Sequence, residues 1–159
     1  MKALTLWRPW PAAICYFGKR VENRTWCPPA YLLGQDLAIH AGVRIDEAEV
    51  EDLIYNEDDA RAVLPGHMGI VAIVRVAGVI DARSHPARLI PAQGVDPAAI
   101  DDEHHLDWWV GPVGWVLDRV RPLSEPVPCR GAQGLWDLPP DVEAAVTAAM
   151  LPALPEVGA

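Results

Sequence analysis

The sequence predicts an α+β fold in which a small mixed sheet or β-barrel is flanked by short helices. Five or six short segments have the composition of strands, and two or three helical segments interrupt them without the regular alternation of a doubly wound fold. The strongest strand signal is the β-branched run 70–76, which glycines bound and which we expect to be the central strand. At 159 residues, 51% of them apolar, the chain fits one domain whose core needs no disulfide.

The first 42 residues predict three strands and one short helix. Proline is tolerated in the first turn of a helix because its missing N–H has no partner there, so Pro9 is expected to open the helix. Gly18 is expected to end it as a left-handed cap. The predicted elements are strands at 4–6, 20–24 and 35–40, the last ending at Ala41-Gly42, and a helix at 9–16.

An acidic helix and a long loop are predicted around the central strand. Asp46 and Glu49 have the spacing of a capping box, at the start of an acidic amphipathic helix over residues 46–55. Whether a protein partner docks on this helix is left open by the sequence. The stretch 81–107 is polar and aperiodic, which predicts a surface loop with one short helical turn. Whether that loop covers a cleft is left open.

The C-terminal part of the chain predicts one strand and one helix. The strand covers 114–121, and the prolines at 122, 126 and 128 are expected to keep the following segment off any central ladder. Within it Trp115 is expected to be core. A helix at 141–150 completes a single domain over residues 1–150, and residues 151–159 are expected to be a loose tail.

Charge and cysteine content limit the classes of function. The net charge of −9 has the wrong sign for a protein that holds long nucleic acid by its phosphates alone. However, residues 1–30 carry five bases and one acid, so a local basic surface is expected there. Three cysteines without C-x-x-C spacing predict no disulfide framework and no cysteine zinc site. We expect no metal and no cofactor. With no export signal or membrane-length apolar run, a cytoplasmic protein without a membrane partner is expected.

The candidate site residues are concentrated in the N-terminal part of the chain. Tryptophan rings are flat faces on which a base can stack, guanidinium and ammonium groups donate to phosphate or carbonyl oxygens, and a carboxylate accepts from an amino group. We prefer Trp10 for stacking, because it lies at a helix start beside two prolines. For His40, a structural role and a ligand contact both remain open. The candidate ligand-binding residues are Trp7, Arg8, Trp10, Lys19, Glu22, Arg24 and His40.

Several motifs in sequence order resemble the ASCH (activating signal cointegrator homology) domain family of the PUA-like superfamily. The resemblance covers residue 3 to about 140. It includes the family pattern of lysine, two residues, glutamate, one residue and arginine, met by Lys19, Glu22 and Arg24, with Gly18 one position from the usual glycine. The motifs are Leu4-Thr5-Leu6-Trp7-Arg8-Pro9-Trp10, Gly18-Lys19-Arg20-Val21-Glu22-Asn23-Arg24, Leu37-Ala38-Ile39-His40-Ala41-Gly42, the glycine-rich start of 66–76, Gly114-Trp115-Val116-Leu117 and Gly131-Ala132-Gln133-Gly134-Leu135-Trp136.

The resemblance implies a PUA-like β-barrel that binds RNA or a modified nucleobase or nucleoside in a cleft beside this motif. The alternative that it implies is a small hydrolase, acting on N4-acetylcytidine or as a ribonuclease, with Lys19 and Glu22 as its catalytic residues. In the family members that remove the acetyl group, the resemblance implies three catalytic residues: a lysine, a threonine three residues on, and a glutamate on the central strand. Here Glu22 stands at the threonine position, and the strand 70–76 has no carboxylate.

Overall fold

The computed structural model describes residues 1–54, 58, 68–83, 86–100 and 106–150. Within these ranges the strands are β1 (Lys2–Arg8), β2 (Val21–Arg24), β3 (Asp36–Ile45), β4 (Gly69–Asp81), β5 (Arg88–Pro91), β6 (Val113–Val127) and β7 (Leu135–Asp137). The helices are α1 (Trp10–Tyr16), α2 (Glu47–Leu53), α3 (Pro97–Ile100) and α4 (Pro140–Ala149), with a 3-10 turn at Ala30–Leu32.

The seven strands form one mixed sheet in the order β2-β6-β4-β3-β1-β7, and β5 pairs with the C-terminal end of β4. β1 and β3 run parallel, whereas the other pairs are antiparallel. The sheet curls into a half-barrel with the short helices around it. The predicted α+β class, a small curled sheet flanked by short helices, is confirmed, with β4 in the middle of the sheet as the β-branched run indicated.

Buried side chains on both sides of the sheet hold it together. The inner cluster joins β1, β3, β4 and β6 to α1, and its largest member is Trp115, which is fully buried as predicted. A second cluster packs α4 against the sheet through Val142 and Val146. A third cluster lies under the segment that contains α3, and Trp108 and Trp109 pack against it. These two tryptophans therefore pack on the sheet.

Two predicted strand ends are wrong. β3 continues through Gly42 to Ile45. At position 42 a Cβ would meet the Thr5 side chain at 3.0 Å and the Leu6 carbonyl oxygen at 3.3 Å, which explains the glycine. That glycine allows β1 to approach closely and does not mark a turn. β6 likewise runs to Val127 and pairs with β4 through its proline-bearing half. The ladder tolerates the prolines because its register shifts there.

The loop predicted over 81–107 is wrong in part, because it contains β5, which extends the sheet. The short helical turn predicted within it corresponds to α3. The acidic helix begins where the sequence places it, but Asp46 makes no side-chain cap hydrogen bond. Residue 55 of the predicted helix, residues 101–105 of the predicted loop and the tail 151–159 lie outside the described ranges. Among the described residues no helix has the length and apolar content needed to span a bilayer.

Candidate functional site

A cavity of about 710 Å³ lies where β1 and β3 run side by side in parallel. β1 contributes Thr5 and Trp7, and β3 contributes the stretch from His40 to Arg44. The other wall is the glycine-rich segment 129–134, together with Arg24 and Met68. This volume is within the range of roughly 300–1,000 Å³ that is usual for small-ligand sites. We call it the arginine cavity, after the side chains of Arg24, Arg44 and Arg130 that line it.

The segment 129–134 is fixed against the sheet through His40 and Thr5. The Nε2 atom of His40 lies 3.0 Å from the Cys129 carbonyl oxygen, which only accepts, so Nε2 carries the proton. Trp136 Nε1 donates to Thr5 Oγ1 at 3.1 Å. A Cβ at Gly131 would lie 2.6 Å from His40 Cε1 and 2.7 Å from Thr5 Oγ1, so only glycine fits without displacing the segment.

His40 is nearly inaccessible to solvent, at 4% exposure, although its residue lines the cavity. Burial lowers the pKa of its imidazole, and the hydrogen bond to the Cys129 carbonyl opposes that shift only partly. Its Nδ1 atom is buried and has no hydrogen-bond partner among the described residues. His40 is therefore a neutral side chain that positions the loop carrying Arg130.

Trp7 and Arg44 form the open side of the arginine cavity. The Trp7 side chain is 49% exposed, and the Arg44 guanidinium carbon lies 5.0 Å from the ring centroid. Arg8, the last residue of β1, donates to the Val43 carbonyl oxygen at 3.0 Å. Arg8 thus ties the end of β1 to β3, and one face of the Trp7 ring carries a cation while much of the ring is open to solvent.

The charges on the cavity wall all have one sign. Its lining contains three guanidinium groups and, among the residues that the structure describes, no carboxylate. Neither Arg44 nor Arg130 forms an ion pair with any described residue, whereas Arg75, Arg83 and Arg121 each pair with an aspartate. In a chain with 22 acids and 13 lysines and arginines, Arg44 and Arg130 thus give this lining two positive charges that no described residue pairs with.

Lys19, Glu22 and Arg24 form a second arrangement, which we call the charge cluster. Lys19 Nζ donates to Glu22 Oε2 at 3.2 Å and to the Val21 carbonyl oxygen. The other carboxylate oxygen, Glu22 Oε1, lies 3.2 Å from an Arg24 terminal nitrogen. The side chains of Lys19 and Glu22 are only 4% and 10% exposed. Neither is among the residues lining the arginine cavity, so Arg24 is the one side chain that the two arrangements share.

The local sequence explains why the charge cluster is buried. Gly18, at φ +76, follows the end of α1 and lets the chain reverse into β2. β2 pairs with β6 so that Glu22 lies opposite Trp115, and side chains opposite one another share a face of the sheet. Glu22 therefore points toward the core. Burial lowers the pKa of Lys19, and the charge and hydrogen bond of Glu22 oppose that shift.

Trp10 lies with the charge cluster. Its ring is half-buried against the inner hydrophobic cluster, and Lys19 Nζ is 5.6 Å from the ring centroid. The candidate residues thus separate into two groups. Trp7, Arg24 and His40 line the arginine cavity, and Arg8 contacts it only through the hydrogen bond to Val43. Trp10, Lys19 and Glu22 lie outside its lining.

Arg44 and Arg130 line the cavity but are missing from the residues selected by sequence. Arg44 was overlooked because the strand was expected to end before it, at Gly42. Arg130 directly precedes the glycine-rich Gly131–Trp136 turn motif, which contributed to the family resemblance but to no candidate site residue. An arginine at the start of such a turn is a signal that could have been used, since glycines let backbone and ligand approach closely.

The structure is similar to crystal structures of the ASCH protein from Zymomonas mobilis and of two point variants of that protein. The first is 17% identical over 92% of this chain and 93% of that chain, with a TM-score of 0.48. The variants are 16% and 15% identical over 92% of this chain and 96% and 94% of theirs, with TM-scores of 0.48 and 0.46. Neither a family model nor a curated protein matches the sequence. The solved structures carry the family name that the sequence motifs resemble.

Proposed function

We propose that the protein binds RNA or another ligand carrying a nucleobase, and that the ligand occupies the arginine cavity. The observation that carries this proposal is the half-exposed Trp7 ring at the edge of a cavity with three arginines and no described carboxylate. A flat apolar face beside positive charge is the combination with which proteins hold single-stranded nucleic acid, because every base has a face that stacks.

The exposed apolar side chains around the cavity favour an unpaired base. Trp7, Val43 and Met68 all line the cavity and are 49%, 71% and 48% exposed. In a duplex the bases already stack on one another, so such a surface has nothing to contact there. A single-stranded segment or a free nucleoside offers the base face that these side chains can cover.

The charge cluster supports this site from within. One carboxylate oxygen of Glu22 contacts a terminal nitrogen of Arg24, and the other oxygen contacts the ammonium group of Lys19. Arg24 Nε is buried and has no partner among the described residues, so it is a donor near the cavity wall that a ligand oxygen could satisfy. The lysine-glutamate-arginine motif then positions one side chain of the site, and Lys19 and Glu22 need not touch the ligand.

The test is binding of a labelled single-stranded RNA hexamer, measured by fluorescence anisotropy. Trp7→Leu is expected to weaken binding by about 1 to 3 kcal/mol, the contribution of one stacked base. Tyr31→Leu is the matched control, since Tyr31 is 62% exposed and lies near Lys2 at the other end of β1. Equal binding by both variants, or tighter binding to a duplex hexamer, would contradict the proposal.

The net charge sets the expected affinity and its dependence on salt. Because the chain is acidic overall, we expect dissociation constants in the micromolar range or weaker. The three arginines at the cavity allow about three phosphate contacts. The logarithm of the association constant for a single strand should therefore fall against the logarithm of salt concentration with a slope no steeper than about −2. A slope near −5 would show that many more cations contact the RNA.

The second candidate function is hydrolysis with Lys19 and Glu22 as catalytic residues. The observation that favours it is the lowered pKa of Lys19, since a neutral amine can act as a base or nucleophile. Incubation with N4-acetylcytidine and with labelled single-stranded RNA tests it by chromatography of the products. Turnover that Lys19→Met abolishes would establish the reaction, and no turnover of either substrate removes it for those substrates.

A further inference from the structure

We propose that the arginine cavity selects ligands that carry a phosphate, with Arg44 and Arg130 holding the phosphate while the base stacks on Trp7. This inference rests on the proposed function and narrows its ligand from any nucleobase compound to nucleotides and single-stranded RNA. An uncharged nucleoside would then be a poor ligand, although it has the same base.

The first argument is the state of the two guanidinium groups. Arg44 and Arg130 are exposed, line the same cavity and form no ion pair with a described residue. A guanidinium is planar and always charged, and its paired N–H groups match the oxygens of phosphate. Two such groups lining one cavity from its two walls form an anion site whose charge nothing in the described part of the protein neutralises.

The second argument is that the structure fixes these arginines near the stacking surface. The Arg44 guanidinium lies on the Trp7 ring, at 5.0 Å from its centroid. Arg130 is held because its neighbours on both sides are fixed, Cys129 through its hydrogen bond to His40 and Gly131 through its close approach to His40 and Thr5. A phosphate bound by Arg44 and Arg130 would therefore lie beside a base stacked on the free part of the Trp7 ring.

The third argument concerns specificity among anions. Arg24, on the cavity wall that also carries Arg130, contributes a buried Nε donor without a described partner. An inorganic anion would contact only the arginines and would leave the Trp7 surface uncovered. A nucleotide covers both, so it should bind more tightly than phosphate alone and more tightly than the nucleoside.

The experiment compares ligands that differ only in the phosphate. Dissociation constants are measured by calorimetry at about 0.05 M salt for the four ribonucleosides, their 5′-monophosphates, inorganic phosphate and a single-stranded RNA hexamer. For every base that binds, the monophosphate is expected to bind at least tenfold more tightly than its nucleoside. Inorganic phosphate is expected to bind at least tenfold more weakly than the best monophosphate.

Variants then locate the phosphate. Arg44→Gln and Arg130→Gln should each reduce the advantage of the monophosphate over its nucleoside to threefold or less, and Arg130→Lys should keep part of that advantage. Arg88→Gln is the control, because Arg88 is an equally exposed arginine at the far end of β4, roughly 40 Å along the strand from the cavity. It should change nothing.

The outcomes separate this inference from the proposed function. If nucleosides and monophosphates bind equally, or if Arg44→Gln and Arg130→Gln both leave the difference intact, the phosphate site is wrong while nucleobase binding stands. If inorganic phosphate binds as tightly as any monophosphate, the pairing of phosphate with a stacked base is wrong. If neither the nucleosides, the monophosphates nor the hexamer bind, the proposed function fails and this inference fails with it.

Discussion

The arginine cavity and the charge cluster each place a cation near a tryptophan ring, but in opposite surroundings. In the charge cluster Lys19 lies 5.6 Å from Trp10, and in the cavity Arg44 lies 5.0 Å from Trp7. Lys19 is buried and has its own counter-ion in Glu22, whereas Arg44 is exposed and has no described counter-ion. A cation that is already neutralised stabilises the fold, and one that is not remains available to an anionic ligand. The comparison implies that substitutions in the cluster affect stability and those in the cavity affect binding.

The largest effect on stability is expected from Glu22→Gln. This change leaves the Lys19 ammonium in the core without its counter-ion, and breaking a buried pair by removing one partner costs about 3 to 5 kcal/mol. The free energy of unfolding, from urea denaturation at pH 7, measures it. Adding Lys19→Met removes the unpaired charge and should recover part of the loss.

The control for this prediction is Glu51→Gln, which removes the same charge from an exposed position on α2. It should change the free energy of unfolding by no more than about 0.5 kcal/mol. A loss below about 1 kcal/mol for Glu22→Gln would mean that the cluster does not stabilise the fold and that the comparison is wrong.

Gly131→Ala tests the contact between the cavity wall and the sheet. The added methyl group would lie 2.6 to 2.7 Å from atoms of His40 and Thr5, so the segment must move. We expect a loss of about 1 to 3 kcal/mol, as for other overpacked sites, together with weaker binding because Arg130 moves with the segment. Ala87→Ser, at an exposed position outside the cavity lining, is the control. Unchanged thermal unfolding and RNA binding in Gly131→Ala would show that the wall does not need this close approach.

The pH dependence of stability tests the burial of His40. Because burial lowers its pKa in the folded protein, the unfolded chain takes up a proton near pH 6.5 that the folded protein does not. The free energy of unfolding should therefore fall as the pH falls below about 6.5, by at most about 1.4 kcal/mol per pH unit, until the pKa of the folded state is reached.

The measurement is urea unfolding of the wild type and of His40→Gln between pH 7.5 and 5. The difference between the two proteins isolates His40 from the other four histidines of the chain. We expect the wild type to lose its advantage over the variant as the pH falls. A difference that is the same at every pH would mean that His40 titrates alike in the folded and unfolded states.

Most of the fold was predictable because it follows from local signals. The β-branched run gave the central strand, a proline and a glycine bounded α1, and alternation placed β2 and the buried Trp115. The errors have a common cause in tertiary contacts that a single segment does not report. Gly42 is a glycine because β1 lies close to it, which its own segment does not show. The prolines of β6 lie where the register between β4 and β6 shifts, and that register depends on the partner strand.

The site was predictable only in part, for the same reason. Sequence reasoning collected useful side chains from the first 42 residues, which included Trp7, Arg24 and His40. It could not show that Glu22 points toward Trp115 in the core, because that depends on the pairing of β2 with β6. It also could not show that Arg130, about ninety positions after His40, is held beside it. A cavity built from distant segments is visible only once the sheet is assembled.

The most direct test of the central claim is an NMR titration that follows the tryptophan indole N–H signals while a single-stranded RNA hexamer is added. The signals of Trp7 and Trp10 are assigned with the variants Trp7→Phe and Trp10→Phe. If the ligand binds in the arginine cavity, the Trp7 signal shifts or broadens with increasing RNA while the Trp10 signal, beside the buried Lys19, stays in place. A titration in which Trp10 responds and Trp7 does not would contradict the account and move the binding site to the charge cluster.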